Sequence, residues 1–388
     1  MAQSDDQQFL TLPAEAATTA RQRDPFPWFR ERHAESPVRY DPDRRSWDVF
    51  GYAAVKRVLG DPEAFTSNGS MATGGDLDII GTSLINTDPP RHDRLRSMVE
   101  SFFRPGAIAD LESDVERIAS DLLDEAESEM DLVEEFAYPL PVMMIAELLG
   151  VPTEDRAQFR EWSLGLAGDT DLVDPTTVNT DRAERIQGEL GVYLTDLIEQ
   201  RKADPRDDLV SALIEEDLSE WDLLGFCALL LVAGNITTTN LLTNAVRSFS
   251  DAEDGEAIHE DLPAATEETI RYRAPVQAIA RYATRDATVA GERIEAGEHV
   301  HVWLGAANHD PTVFDSPEMF RPGREVAHVG FGHGIHYCLG AQFARLEARV
   351  ALETLYDRYP NLAVVDGEHP PVTSPFLHGL RSLPVRLE

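Results

Sequence analysis

The sequence predicts a mainly α-helical protein with a small β-sheet region, folded as a single large domain over residues 1–388. Three observations carry this. Apolar residues recur with a 3.6-residue period through most of the chain. Strand-like segments are few and short. No Pro/Gly/Ser-rich linker, internal repeat or low-complexity tract divides the chain, although its 388 residues would allow two domains. Hydrophobic residues make up 42%, near the globular norm, so a sizeable core can be buried.

The elements follow in chain order. Residues 1–23 are expected to be a loosely ordered N-terminal segment, and Met1 to Asp24 lacks the basic start and apolar stretch of a secretory signal. Val38 to Tyr40 and Trp47 to Phe50 flank a turn at Asp41 to Arg45 and read as paired strands. Helical periodicity then covers Ile108 to Ala126, Pro141 to Leu149, Thr180 to Lys202, Glu220 to Phe249 and Leu262 to Tyr272. The acidic stretch Asp251 to Asp261 is the best linker candidate, but patterned helix resumes directly after it. Thr288 to Ala290, Arg293 to Ile294 and His299 to Trp303 surround Gly291 and Gly297 in a hairpin-like pattern, and Ala341 to Tyr359 closes the chain with an amphipathic helix. The longest apolar run, Leu223 to Gly234, is about 12 residues and ends in Asn235, short of the roughly 20 a membrane span needs. A soluble cytoplasmic protein without a membrane anchor is expected.

Charge excludes several partners. The chain carries 34 Lys+Arg against 70 Asp+Glu, a net charge of −36, and Lys56 and Lys202 are its lysines. Neither a basic face for nucleic acid nor a basic cluster for anionic lipid is visible. Many acids with almost no lysine suggest a protein meant for concentrated salt, from a halophilic archaeon, where repulsion is screened within roughly 3 Å. An ordinary acidic cytosolic protein is the plainer alternative. Cys227 and Cys338 sit in different contexts, so no disulfide framework is expected.

The most unusual segment is Phe331-Gly332-His333-Gly334-Ile335-His336-Tyr337-Cys338-Leu339-Gly340, just before the last helix. Gly332 and Gly334 permit tight turns and close approach of backbone to a flat object. Gly340 clears the helix entry. A cysteine before a helix N-terminus faces unpaired N–H groups and a positive dipole end, which favour the thiolate. Such a thiolate is a good axial ligand for haem iron. The plain alternative for an isolated cysteine is a buried free thiol in a Gly-rich turn.

This segment resembles the haem-binding loop of the cytochrome P-450 family, Phe-x-x-Gly-x-(Arg/His)-x-Cys-x-Gly, and every fixed position matches. The resemblance implies haem b (iron protoporphyrin IX) as cofactor, Cys338 as proximal thiolate, Phe331 packed near it and His336 on a propionate. Asp88 to Arg96 starts a helix on which His92 and Arg96, four apart, share a face. The family places propionate ligands at these two positions, and Arg281 matches a third. Glu268 and Arg271, three apart on one helix face, are alone a common surface pair. Followed by Tyr272 to Pro275, they resemble the family's Glu-x-x-Arg helix, and Phe320 to Arg324 resembles the segment supplying a second arginine. The implied triad Glu268, Arg271 and Arg324 is structural, and planar arginine suits such buried bidentate pairing.

In the long helix, Ala233-Gly234-Asn235-Ile236-Thr237-Thr238-Thr239 resembles the family's oxygen-binding Ala/Gly-Gly-x-(Asp/Glu)-Thr. The likeness assigns Gly234 to loosening the helix beside oxygen and Thr237 to hydrogen bonding there. Ile236 stands where the acid belongs, which leaves proton delivery to Asn235, Thr238 or waters, or else points to peroxide use. Family position places substrate contacts at the loop Ser67 to Ile85 and at Leu230, Ala233, Val276, Ile279, Phe376 and Leu377, an apolar pocket for a small lipophilic substrate. The implied activity is mono-oxygenation with O2, by a soluble prokaryotic type of enzyme. No G-x-G-x-x-G motif for flavin or NAD follows a strand, so ferredoxin and ferredoxin reductase are the expected electron donors. The competing readings are a peroxide-driven peroxygenase or isomerase, and a non-catalytic haem-binding sensor or electron carrier.

Overall fold

The computed structural model describes residues 11–68, 83–168, 180–252 and 261–388. Its axis is the 32-residue helix Glu220–Asp251, capped by Ser219, whose hydroxyl accepts the Asp222 N–H at 3.1 Å. This helix is apolar on most sides because it is buried on most sides. By length and composition alone it could cross a bilayer, but most of its apolar window is packed inside the protein. Its first half, through Leu223, Phe226, Leu229 and Leu231, packs with helices Pro139–Leu148, Arg156–Gly168 and Thr180–Ala203. Its second half, through Leu241, Leu242, Val246 and Phe249, packs with Glu112–Asp124, Leu262–Tyr272 and Ala341–Arg358. Each such side chain contributes about 1.5–3 kcal/mol on burial. Between the two cores the packing lapses: Ala233, in mid-helix, is exposed.

Among the described residues ten short strands accompany the helices: β1 Val38–Asp41, β2 Ser46–Val49, β3 Phe65–Thr66, β4 Glu129–Asp131, β5 Ile279–Ala283, β6 Ala287–Val289, β7 Glu292–Ile294, β8 His299–Val302, β9 Ala363–Val364 and β10 Pro384–Arg386. The largest sheet runs β1-β2-β8-β5-β3, with β2 and β8 parallel and the other pairs antiparallel. Here β5 pairs Ile279 with Val302 and Arg281 with Val300. Two residues apart, Ile279 and Arg281 fall on one face of the sheet.

The mainly helical class with small sheets holds. The hairpin expected around Gly291 is β6–β7, where Gly291 has φ 92°. His299 to Val302 instead joins the large sheet. The helix expected from Ile108 to Ala126 is broken: Pro105–Ile108 and a 3-10 turn precede the helix Glu112–Asp124. Strand β5 was not anticipated, because its burial does not alternate. The expectation of loose order over residues 1–23 is narrowed. Residues 1–10 lie outside the described residues, but Thr19–Arg23 is helical, and Leu12 and Ala16 pack with Phe26, Trp28 and Trp303. Most of the acidic stretch after Asp251 also lies outside the described residues.

Candidate functional site

A cavity of about 310 Å³ opens where the long helix loses its packing. Ala233, Gly234, Thr237 and Thr238 line it from the long helix, and residues Gly330 to Gly332 and His336 to Gly340 line it from the loop before the last helix. Cys338 lies deep in the protein yet has an open surface, because it faces this space. Gly332 and Gly334, at φ 77° and 73°, make the turns that bring it there, and a Cβ on Gly334 would strike the Leu59 carbonyl. The Cys338 N–H donates to the Phe331 carbonyl at 2.9 Å. Gly340 caps the helix Ala341–Arg358, and a Cβ there would meet no protein atom. Its smallness therefore serves the cavity side rather than the helix entry.

The thiol itself departs from expectation. Burial pushes the Cys338 pKa up and outweighs the Gly340 backbone hydrogen bond and the charges of Arg96 and Arg345, which pull it down. The helix end pulls toward the thiolate, and burial opposes it. A bound cation would decide for the thiolate, since a coordinating thiol is deprotonated outright.

Four cationic or basic side chains gather beside the cavity, Arg96 and His336 on its lining and His92 and Arg281 around His336. His92, 1% exposed, sets its Nδ1 2.9 Å from Asp93, and its Nε2 has no hydrogen-bond partner among the described residues. Its ring stands edge-on to that of His336, with centroids 4.5 Å apart. His336 Nε2 lies 3.0 Å from the Ser67 hydroxyl. Burial lowers the His336 pKa to about 3, reinforced by Arg281, His92 and Arg96. Arg281 donates to the Ala280 carbonyl at 2.8 Å, and burial lowers its pKa to about 10, offset only in part by Asp88. Such a cluster of donors asks for anions at its centre. Two carboxylates reaching the rim of the cavity would meet the orphaned His92 Nε2, Arg96 and Arg281. The donor set thus fits the propionates of haem b, and the thiol of Cys338 fits its iron.

The triad forms. Arg271 gives Nε and Nη2 to the two Glu268 oxygens at 2.8 and 2.7 Å, and Arg324 Nε reaches Glu268 Oε1 at 3.0 Å. Their remaining donors go to the carbonyls of Asn308, Pro317 and Met319 for Arg271, and of Asp315, Ser316 and Met319 for Arg324. One carboxylate therefore gathers the irregular segment 308–324 that leads into the cysteine loop.

The substrate wall is partly corrected. Leu230, Ala233, Val276 and Ile279 line the cavity, as do Leu229 and, from the end of the expected loop, Leu84 and Ile85; Phe103 is an addition. Phe376 and Leu377 are not on it. The Phe376 ring stacks on His301 with centroids 5.9 Å apart, and Leu377 bridges Val276 through backbone. Residues 69–82 of the expected substrate loop lie outside the described residues. Asn235 is also turned away. It is 1% exposed, its Nδ2 donates to the Ser163 hydroxyl at 2.7 Å, and its Oδ1 accepts from Thr239 at 3.3 Å. It pins the long helix to helix Arg156–Gly168. Gly234 does not interrupt the helix; its missing Cβ would come within 3.0 Å of Ile145. The Thr237 hydroxyl donates to the Ala233 carbonyl at 2.7 Å.

Sequence reasoning missed Glu347. It is 2% exposed, lines the cavity and has Thr238 as its polar neighbour, and burial raises its pKa well above the carboxylate range. An acid on the inner face of an amphipathic helix was the available signal.

Comparison with known proteins agrees with this geometry. The model of the family described as Cytochrome P450 matches residues 261–385. A protein called putative cytochrome P450 YjiB, from Bacillus subtilis, is 38% identical over 384 residues, covering 94% of each chain. The erythromycin C-12 hydroxylase of Saccharopolyspora erythraea is 40% identical over 353 residues, covering 87% of this chain and 88% of the relative. The substrate-free crystal structure of CYP109E1 from Bacillus megaterium superposes with a TM-score of 0.90 at 38% identity, over 95% of this chain and 99% of that one. The chain belongs to the cytochrome P450 family. It is a haem enzyme of the monooxygenase class, in which a protein thiolate, lipophilic substrates, O2 and redox partners are the shared equipment.

Proposed function

We propose that this cytochrome P450 inserts one atom of O2 into an uncharged lipophilic substrate, with Cys338 as the residue that would hold the haem iron and with electrons from a separate ferredoxin and its reductase. The observation that carries this is Cys338, deep in the fold yet open to a cavity it shares with Ala233 and Thr237. His92, Arg96, Arg281 and His336 would hold the haem propionates, and Phe331 would pack against the ligand loop. The haem supplies oxygen binding and O–O cleavage, which a thiolate ligand favours.

The chain's own residues do the rest. Phe103, Leu229, Leu230, Val276 and Ile279 exclude water and offer a charged substrate no partner. The Thr237 proton is committed to the Ala233 carbonyl, so this hydroxyl presents an acceptor to the cavity until it turns. Among the described residues lining the cavity the one carboxyl is Glu347, whose pKa burial raises, beside Thr238. It stands in a region where Ile236 supplies none. The apolar wall suits a steroid or macrolide, as the CYP109E1 complex with testosterone and the erythromycin hydroxylase name suggest for those relatives. A soluble, cytoplasmic setting accompanies this reading.

The reduced carbon-monoxide complex tests it. The wild type should show the red-shifted Soret band of thiolate ligation, and Cys338→Ser should abolish it while haem remains bound; a wild type without that band refutes the assignment. Ile236 and the turned-away Asn235 favour a second reading, peroxide as oxygen source. Turnover with hydrogen peroxide and none with a ferredoxin system would select it.

A further inference from the structure

Glu267 and Glu268 are neighbours on helix Leu262–Tyr272 but do different work. Glu268 is buried in the triad, whereas Glu267 faces the cysteine loop from outside. Its carboxylate pairs with one edge of the Arg345 guanidinium, Nε on Oε1 and Nη2 on Oε2, the latter at 3.0 Å. Arg345 belongs to the helix that follows Cys338. Glu267 Oε2 also lies 3.0 Å from His328 Nε2. The Gly330 N–H donates to His328 Nδ1 at 3.1 Å, so Nδ1 is the acceptor and Nε2 carries the proton given to Glu267. One carboxylate therefore ties the start of the loop to the helix beyond it.

Between those anchors lies Phe331. The Arg345 guanidinium sits over its ring, 4.5 Å from the centroid. A planar cation over an aromatic face is attracted by the ring quadrupole. The carbonyl of the same Phe331 accepts the Cys338 N–H at 2.9 Å. The positive charge of Arg345 reaches the sulfur, since it is one of the groups that pull the Cys338 pKa down. The pair thus places a positive charge beside the proposed ligand, with the negative charge of Glu267 bound to that cation and partly exposed to solvent. The sequence motif accounts for Phe331 and Cys338, but neither Glu267 nor Arg345 is used by the site described above.

We propose that Glu267 and Arg345 form a charge clamp that sets the reduction potential of the haem iron through Cys338, Arg345 raising it and Glu267 restraining it. Both are positioning residues, and the inference rests on the reading that Cys338 ligates the iron. The physics fixes the signs. One-electron reduction of ferric to ferrous haem adds a negative charge at the site. A nearby cation stabilises the reduced form and a nearby anion opposes it. Glu267 is partly exposed, so solvent screens the effect and keeps it modest.

The test is a redox titration of the haem-loaded protein with dithionite and mediators, with no partner protein present. Glu267→Gln should favour the ferrous form about threefold to tenfold, and Arg345→Gln should favour the ferric form by a similar factor; tenfold corresponds to about 59 mV for one electron. The double variant should return to within about twofold of the wild type, and Arg345→Lys, which keeps the charge, should stay close to it. Shifts of the same sign in both single variants, shifts under about 1.5-fold, or an equal loss of the thiolate carbon-monoxide band in both would overturn the clamp. The wild-type band judges the ligand assignment separately: an intact band with unmoved potentials sinks the clamp alone.

Discussion

Glu347 is a carboxyl whose ionisation burial opposes, and its cost to the protein depends on pH. Its pKa is raised by burial, so the folded state holds a proton that the unfolded state releases above about 4.3. Stability from this group is fully present below that value and declines as pH rises toward the folded pKa. Gln has the same shape and cannot ionise. Glu347→Gln should therefore melt higher than wild type at neutral pH, with the two converging near pH 4. Melting curves of the haem-loaded proteins across that range decide it, and a gap that does not change with pH would contradict it. Cys338 was legible in the sequence because its glycines and its helix are adjacent to it. The protonation of Glu347 was not, since burial of a helix face depends on what packs there. Asn235 makes the same point. Its direction is set by Ser163, seventy-two residues away, which no local pattern contains.

At the scale of elements, the triad decides whether the segment entering the cysteine loop is held. Glu268 and Arg271 are almost fully buried and Arg324 nearly so. Removing one partner of a buried pair leaves uncompensated charge and costs about 3–5 kcal/mol, whereas an exposed pair is worth about 1 kcal/mol or less. Glu268→Gln strands two guanidiniums and loosens segment 308–324. It should lower stability by about 3 kcal/mol or more and lower haem retention with it, as read by denaturant titration and by the Soret absorbance that survives gel filtration. A loss below about 1 kcal/mol would place the triad among ordinary surface pairs. The helical elements were legible from period and length. Strand β5 was not, although it carries Arg281, because a sheet strand buried unevenly on both faces shows no alternation.

At the scale of the molecule, 70 acids face 34 cations, and this balance acts on stability rather than on the site. Salt has two opposed effects. It weakens exposed attractions such as Arg94 with Asp217, each worth at most about 1 kcal/mol. It also screens the mutual repulsion of a net charge of −36, which acts over about 10 Å at 0.1 M but only about 3 Å at 1 M. Acids outnumber cations about twofold, so repulsion among carboxylates outweighs the attractive pairs and screening prevails. The haem site should be insulated from this, because the cations proposed to hold the haem would be matched to its carboxylates. Raising KCl from about 0.1 M to 1 M should lift the melting midpoint by about 5 °C or more, and the thiolate carbon-monoxide band should not move. Neutral sucrose at equal osmolality should give a smaller rise, since it leaves charge repulsion unscreened. A midpoint that stays flat or falls with KCl would mean that attractive pairs outweigh repulsion, and the case for a high-salt habitat would fail with it.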